Sequence, residues 1–253
     1  MHASYYGQPL NFAHRGASAT APENTLAAFE LAAEHGADGI EFDVQLTRDG
    51  MPVICHDFSV DKTTDHQGTL SGFTLSEIKE MDAGDWFGTE FAGERIPTLD
   101  ELIDVVGHRL LLNLELKTTA AKSNGLEEAV AASIRQRNLY DRIIVSSFNP
   151  LALRRLHRLD PRIDLGLLYA TDMPFFLRNA WARHLIPCQA MHPYCEMVDE
   201  HYMRWAGARG YRVNVWTVDD PDAMRRLIAL GVDVVITNRP AVLRDVLAAQ
   251  LPQ

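Results

Sequence analysis

The stretch "NFAHRGASATAPENTLAAFELAAEHGADGIEFDVQL", residues 11–46, contains the unit from which the fold is predicted. It begins in a short apolar run typical of a β-strand and continues into a helical pattern that Asn24 or Thr25 can cap and Gly36 can end. A second apolar run at 38–44 follows directly. A strand, a helix and a strand in this order are typical of a parallel sheet in an α/β protein.

The alternation of apolar runs and helical patterns continues to the end of the chain. Further strands are predicted at 52–56, 110–116, 142–148, 163–169, 187–192, 211–218 and 232–238, the first of these being a short addition. The helical pattern is weakest at 173–184. Eight units of a strand followed by a helix in 253 residues predict a (β/α)8 TIM barrel. The alternative is a doubly wound open sheet, but the GxGxxG loop expected after its first strand is absent.

One region departs from the alternation. Residues 57–97 are too long for an ordinary connection inside a compact domain, so we predict that they form a small insertion after the second strand. The sequence contains no composition change or linker that would divide the chain. We therefore expect residues 1–253 to form a single TIM-barrel domain that contains this insertion.

The composition limits the class of protein. A formal net charge of −10 argues against nucleic-acid binding, which requires a basic surface. The chain shows no basic start followed by an apolar segment and no apolar run of about 20 residues, so we expect neither a signal peptide nor stable membrane insertion. Cys55, Cys188 and Cys195 lack disulfide spacing, which favours reduced thiols and a cytoplasmic location. The oligomeric state is open, with a homodimer as one alternative.

Ionisable side chains occur at the ends of several predicted strands, where barrel enzymes place their active sites. His14 and Arg15 end the first strand, and Glu41 and Asp43 lie two residues apart on one face of the second. The remaining ones are His56 at the end of the short run, and Glu115 and Lys117 two residues apart in the next strand. These positions predict one common site at the mouth of the barrel.

The three carboxylates predict a cation site. Like charges that are buried close together need a compensating cation. Oxygen ligands from Glu41, Asp43 and Glu115 suit one divalent cation, Mg²⁺ or Ca²⁺, better than Zn²⁺. Two alternatives remain open: Glu41 and Asp43 could lie on an exposed edge strand, and Glu115 could form a structural ion pair with Lys117.

The basic side chains suit phosphodiester chemistry beside such a cation. Arg15 can bind a phosphate through two N–H groups, and Lys117 can add a second positive charge. The imidazoles of His14 and His56 have ordinary pKa values of about 6.5, so they can act as base and acid on either side of phosphorus. The sequence therefore predicts a metal-dependent phosphodiesterase that acts on a small molecule.

Residues 14–57, "HRGASATAPENTLAAFELAAEHGADGIEFDVQLTRDGMPVICHD", resemble the N-terminal signature of the glycerophosphodiester phosphodiesterase family. The resemblance continues in order through "IPTLDEL", "LNLELK", "VSSFNP", "VNVWTVDDP" and "GVDVVITNRP", and it looks most similar to the short cytosolic bacterial type. It implies a TIM barrel with a small insertion after the second strand. It also implies that glycerophosphodiesters are hydrolysed to sn-glycerol 3-phosphate and an alcohol with a divalent cation.

The resemblance also implies roles for individual residues. It makes His14 and His56 the general acid–base pair, Glu41, Asp43 and Glu115 the cation ligands, and Arg15 and Lys117 the phosphate-binding residues. It further implies that Glu23 holds the His14–Arg15 pair in place and that Trp216 forms an apolar wall beside the substrate. Asn238 departs from the aspartate that is usual in the family, and we interpret it as a helix cap. His192 is open between a role at the substrate and a place in the core or on the surface.

Four questions stay open at this stage. The nucleophile is either water or the glycerol 2-hydroxyl, and the acid and base roles of the two histidines are not distinguished. The substrate could instead be a lysophospholipid, which would make the protein a lysophospholipase D. A catalytically silent binding module and a sugar isomerase are weaker alternatives. The isomerase would not need the phosphate-binding pair Arg15 and Lys117.

Overall fold

The computed structural model describes residues 9–249, so residues 1–8 and 250–253 of the predicted domain lie outside the described residues. Its strands are β1 (Leu10–His14), β2 (Gly39–Leu46), β3 (Pro52–Ile54), β4 (Leu111–Leu116), β5 (Ile143–Ser147), β6 (Asp164–Tyr169), β7 (Ala190–Pro193), β8 (Arg212–Val215) and β9 (Val234–Thr237). β1 pairs in parallel with both β2 and β9, which closes eight parallel strands into a barrel. The predicted (β/α)8 barrel is confirmed, and the open-sheet alternative is wrong because that sheet would have two free edges.

The short strand β3 lies outside the barrel and pairs antiparallel with the end of β2. The helices are α1 (Leu26–Glu34), α2 (Leu75–Glu80), α3 (Leu99–Val106), α4 (Leu126–Arg137), α5 (Pro150–Leu159), α6 (Phe175–Arg178), α7 (Glu200–Gly207), α8 (Pro221–Leu230) and α9 (Pro240–Ala248). Thr25 is the N-cap of α1, because its side chain accepts from the N–H of Ala28. Asn24 turns away and donates to Asp43 instead.

Two parts of the chain differ from the predicted pattern between β6 and β8. Strand β7 begins at Ala190, because Pro187 has no N–H for the ladder and Cys188 donates to Ile186 in a turn. The weak helical pattern at 173–184 forms only the four residues of α6, followed by a 3₁₀ turn at Trp181–His184. Ala180 separates the two with a left-handed φ of 51°, which a continuous helix does not allow.

The barrel strands are buried on both faces, as expected when helices cover a parallel sheet. All eight residues of β2 and all six of β4 are buried. The exposed-edge alternative for Glu41 and Asp43 is therefore wrong. Ionisable groups in these strands point to the barrel interior and have to be compensated there.

Residues 57–97 connect β3 to α3 and include α2, whose N-terminus carries a capping box between Thr74 and Glu77. A small apolar cluster holds this segment together, formed by Val53, Cys55, Val60, Leu70, Ile78, Met81, Ala83 and Ile96. Treating the segment as an insertion in one domain stays a prediction. Among residues 9–249, we find no helix with the length and apolar character needed to cross a bilayer.

Candidate active site

The neighbouring strands β2 and β4 bring together the three acidic residues predicted to bind a cation. Glu41 is the register partner of His14, and Asp43 is the partner of Glu115. One carboxylate oxygen from each of Glu41, Asp43 and Glu115 lies within 4.8 Å of the others. All three side chains are buried, so the strand parity read from the sequence places them as expected.

The electrostatics of this group fit a bound divalent cation. Burial, together with the charges of Asp43 and Glu115, raises the pKa of Glu41 well above its usual value. Burial and the charge of Asp43 raise the pKa of Glu115 to about 7. One oxygen of Glu41, Oε2, has no hydrogen-bond partner among residues 9–249. Buried, hard oxygen donors with an unsatisfied atom are what Mg²⁺ or Ca²⁺ requires.

Asp43 differs from its two neighbours because it contacts cationic side chains. Lys117 Nζ lies 3.6 Å from its Oδ1, and Arg15 Nε lies 3.4 Å from its Oδ2. Burial alone would raise the pKa of Asp43, but Lys117 and Arg15 outweigh it and the pKa is lowered. Asn24 also donates to Oδ2 at 3.0 Å. Asp43 therefore carries its charge without a metal ion.

Lys117 lies beside the carboxylates rather than along the cavity wall. Its Nζ is 3.0 Å from Glu115 Oε1 as well as close to Asp43. Burial lowers the pKa of Lys117, but the charges of Glu115 and Asp43 more than offset this and raise it. The sequence left open whether Lys117 pairs with Glu115, and the structure contains this ion pair. Lys117 is therefore a fixed cation next to the site.

Arg15 lies in the connection between β1 and α1, and backbone hydrogen bonds hold it in place. Its N–H donates to the carbonyl of Glu41 at 2.8 Å, and its carbonyl accepts from Asn24 at 3.0 Å. Arg15 and Gly16 both have a left-handed φ, of 56° and 83°. Position 16 has no room for a side chain, because a Cβ there would lie 2.6 Å from the backbone of Ala28. Glu23 Oε1 accepts from Arg15 Nη1 at 2.9 Å. The contact expected for Glu23 is present.

His14 is oriented by Asn238, which the sequence interpretation treated as a helix cap. Nδ1 of His14 lies 2.7 Å from Oδ1 of Asn238, and the amide nitrogen of Asn238 donates to Asp219 at 2.6 Å. The cap interpretation is wrong, because Arg239 is the N-cap of α9 and no side chain caps it. Burial and the charge of Arg15 lower the pKa of His14 to about 4. The imidazole is therefore neutral at pH 7.

His56 is more exposed and has a carboxylate as its partner. Its Nδ1 lies 2.6 Å from Asp57 Oδ1, and 29% of its side chain is exposed. Burial lowers its pKa, although the charge of Asp43 acts in the opposite direction. Gln45 fixes the backbone here by donating to the carbonyls of Cys55, His56 and Asp57 at 2.8, 3.2 and 2.8 Å.

These groups border a cavity of about 160 Å³. Its ionisable lining residues are His14, Arg15, Glu41, His56 and Glu115, and its apolar ones are Phe148, Leu168, Trp216 and Ile236. Trp216 packs edge-to-face on Phe148 with ring centroids 5.4 Å apart. Its Nε1 donates to the carbonyl of His192 at 2.8 Å, so the ring has a fixed position.

Two further residues clarify what the sequence left open or missed. His192 is fully buried, and its Nε2 is 3.0 Å from Asn214 Nδ2, so it belongs to the core. Asn113 was missed, although it precedes Glu115 by two residues and shares its inward face. It borders the cavity, and neither amide atom has a partner among the described residues. Strand parity was the signal that could have identified it.

The chain is similar in sequence to known proteins. Residues 14–242 match the sequence model of the Glycerophosphoryl diester phosphodiesterase family. The glycerophosphodiester phosphodiesterase of Caldanaerobacter subterraneus subsp. tengcongensis is 42% identical, covering 92% of this chain and 96% of its own. That of Bacillus altitudinis is 35% identical, covering 90% and 94%.

Solved structures of other proteins have a similar fold. An Oleispira antarctica phosphodiesterase in complex with the product sn-glycerol-3-phosphate superposes with a TM-score of 0.82 and 35% identity, over 95% of this chain and 97% of its own. The glycerophosphodiester phosphodiesterase of Agrobacterium tumefaciens gives a TM-score of 0.80 and 27% identity, over 94% and 99%.

Proposed function

The chain belongs to the glycerophosphoryl diester phosphodiesterase family, and from that membership we propose that it hydrolyses glycerophosphodiesters to sn-glycerol 3-phosphate and an alcohol. The observation that carries the proposal is the cavity in which a carboxylate cluster, an arginine and two histidines face an apolar wall. A concave cavity that combines a few polar groups with apolar side chains suits a small phosphorylated molecule.

Glu41, Asp43 and Glu115 would hold one divalent cation, Mg²⁺ or Ca²⁺. The support is the fit between three buried carboxylates and a hard cation, and the unsatisfied oxygen on Glu41. When bound, the cation would supply positive charge that polarises the phosphoryl group. Arg15 and Lys117 surround Asp43 and keep it ionised, so one of the three ligands is charged before a cation arrives.

Arg15 is proposed to contact the phosphate directly, and Lys117, which does not border the cavity, to support phosphate binding through its charge. Arg15 borders the cavity, and its contact with Glu23 holds the guanidinium in one orientation, which suits a planar fork for phosphate oxygens. Lys117 adds a fixed positive charge behind the carboxylates. We propose that Glu23 acts through Arg15 as a positioning residue and does not touch substrate.

The geometry favours His14 as the base and His56 as the acid. His14 is neutral, and with Nδ1 donating to Asn238 its Nε2 is free to accept a proton from a nucleophile. Burial lowers the pKa of His56, the hydrogen bond with Asp57 acts against this larger effect by raising it, and a protonated His56 can donate to the departing alcohol. The nucleophile is water or the glycerol 2-hydroxyl, and trapping a cyclic glycerol phosphate would identify the second.

Trp216 and Phe148 form the apolar wall against which the glycerol carbons or the leaving group would pack. We also propose a cytoplasmic location, which is supported by three free and buried cysteines within residues 9–249. A homodimer stays a prediction. The silent binding module has no support, because both histidines and all three carboxylates are in place.

The test is release of sn-glycerol 3-phosphate from glycerophosphocholine with and without a chelator. We expect the His14→Ala variant to lose more than about 100-fold in kcat, as is typical when an acid–base group is removed. His108→Ala alters an exposed histidine in a loop and should leave turnover unchanged. Full activity in His14→Ala, or in the chelated enzyme, would contradict the mechanism.

A further inference from the structure

The most exposed large apolar side chains among residues 9–249 are concentrated in one short segment. Phe175, Trp181 and Leu185 are 58%, 55% and 60% exposed, whereas the other exposed large apolar side chains that the structure describes are at or below 49%. Single exposed apolar side chains are normal on a protein surface. Three of them within residues 175–185 form a surface patch that needs an explanation.

The patch results from the shortened connection between β6 and β7. A barrel helix normally covers the strands at this point, but here α6 has four residues and is followed only by a 3₁₀ turn. Phe175 nevertheless contacts both Trp181 and Arg178. The rings of Phe175 and Trp181 meet edge-to-face at 5.3 Å, and the guanidinium of Arg178 lies 5.4 Å from the Phe175 ring centroid. We call Phe175, Arg178, Trp181 and Leu185 the aromatic patch.

The segment that carries the aromatic patch is basic, whereas the whole chain is acidic. Residues 173–188 contain two arginines, one histidine and no acidic residue, in a chain with 34 acidic and 24 basic residues. Arg183 packs over Trp205 and donates to backbone carbonyls, so Arg178 is the exposed arginine of the segment. Asp172 just precedes the segment, and Asp199 lines one pocket together with Arg178.

We propose that the aromatic patch docks the protein on an anionic phospholipid surface. Exposed Trp and Phe side chains with adjacent arginine are typical of segments that lie in the membrane interface. The apolar side chains would enter the boundary between headgroups and acyl chains, and Arg178 would contact lipid phosphate. Such binding is peripheral, and it needs no helix that spans the bilayer.

A second copy of this chain fits the aromatic patch less well than a lipid surface does. A two-fold interface would place the patch against itself and bring Arg178 close to its symmetry mate. A stable dimer also needs about 20–30 residues on each side, many more than the patch provides. Charge complementarity therefore favours an anionic surface.

The docking surface belongs to the segment that follows β6, a strand that contributes to the cavity. β6 ends at Tyr169, directly after the cavity residue Leu168, and the patch begins six residues later at Phe175. A glycerophosphodiester is a phospholipid without its acyl chains, so removal of acyl chains from membrane lipids would supply the substrate. If the proposed activity holds, docking keeps the cavity close to that source. The docking proposal itself does not depend on that activity.

Cosedimentation with lipid vesicles tests the proposal. We expect the protein to bind vesicles of phosphatidylcholine and phosphatidylglycerol, and to bind phosphatidylcholine vesicles at least tenfold more weakly. The triple variant Phe175→Ser, Trp181→Ser, Leu185→Ser should lose binding by roughly tenfold or more. Arg178→Gln should weaken it by about fivefold at low salt and little at high salt.

The control is a triple variant at exposed apolar residues elsewhere, Met51→Ser, Leu151→Ser, Leu159→Ser, whose exposures are 39%, 42% and 41%. It should bind vesicles like the wild type. Thermal unfolding followed by circular dichroism checks that all variants fold, independently of catalysis. Absence of wild-type binding to anionic vesicles, or an equal loss in both triple variants, would overturn the proposal. The proposal would also be overturned if the wild type is a dimer that binds no vesicles and the triple variant of the aromatic patch is a monomer.

Discussion

Nδ1 of His14 lies 2.7 Å from Oδ1 of Asn238, so the residue directly after the last barrel strand orients the histidine that ends the first. Asn238 is itself fixed, because its amide nitrogen donates to Asp219 at 2.6 Å. This places the proton of a neutral His14 on Nδ1 and leaves Nε2 as the acceptor, 3.8 Å from Glu41 Oε2. The closure of the barrel therefore sets the tautomer of a proposed catalytic base.

Asn238→Leu should lower kcat by roughly ten- to 100-fold with little change in KM. The substitution removes the acceptor for Nδ1, so a part of the His14 population would carry its proton on Nε2 and could not act as a base. Steady-state kinetics on glycerophosphocholine measure both constants. Gln136→Leu, at an exposed position of α4, serves as the matched control. A change in KM alone would argue against a positioning role.

The sequence predicted the charged half of the site because a strand has a period of two. Glu41 and Asp43 share one face, as do Glu115 and Lys117, and parallel strands end at the same side of the barrel. The closing of the barrel was also predictable, since eight strand–helix units leave few other arrangements. The number of strand–helix units thus predicted the fold, and strand parity predicted which side chains share the cation site.

The parts that sequence reasoning missed depend on side-chain direction and on distant contacts. Asn238 and His14 are 224 positions apart, and nothing in the local pattern of either residue indicates that one orients the other. Asn24 is a good N-cap by type, but the buried charge of Asp43 takes its amide and leaves the cap to Thr25. Lys117 could have reached the cavity, yet the nearer carboxylates of Glu115 and Asp43 hold it.

Glu115→Gln should stabilise the cation-free protein and abolish the stabilisation that a divalent cation provides. The folded-state pKa of Glu115 is raised to about 7, so its carboxyl group destabilises the fold progressively as pH rises from its ordinary value of 4.5 towards 7. At pH 8 without cation, we expect the variant to gain on the order of 1–3 kcal/mol. Chemical denaturation with and without Mg²⁺ or Ca²⁺ measures this.

Glu30→Gln, on the exposed side of α1, is the matched control and should respond to cations like the wild type. Cation affinity of the wild type should also rise between pH 6 and pH 8, because binding must displace the proton from Glu115. An unchanged cation response in Glu115→Gln would exclude that residue as a ligand.

His192 should make the folded protein less stable in acid. Burial, with a smaller effect of Arg212, lowers its pKa to about 3 from 6.5. The unfolded chain then binds more protons than the folded one between these values, so stability falls as pH drops from 6.5 towards 3 and is unaffected above 7. His192→Asn should flatten the loss of stability over this window, measured as the free energy of unfolding at several pH values.

Because a substitution at a fully buried site can itself destabilise, the informative quantity is the slope against pH and not the value at one pH. Exchange of His108, which is exposed, should leave the slope as in the wild type. Parallel curves for His192→Asn and the wild type would show that His192 is charged in the fold or titrates normally there.

The nature of the leaving group should separate the two histidines. If His56 protonates the departing alcohol, His56→Ala should lose roughly 100-fold or more on glycerophosphocholine, but far less on a p-nitrophenyl diester whose leaving group needs no proton. If His14 activates the nucleophile, His14→Ala should be impaired on both substrates. Turnover of the two diesters by both variants gives the comparison at fixed pH. The reverse pattern would exchange the two roles, since the contact of His56 with Asp57 and of His14 with Asn238 is the basis of the assignment.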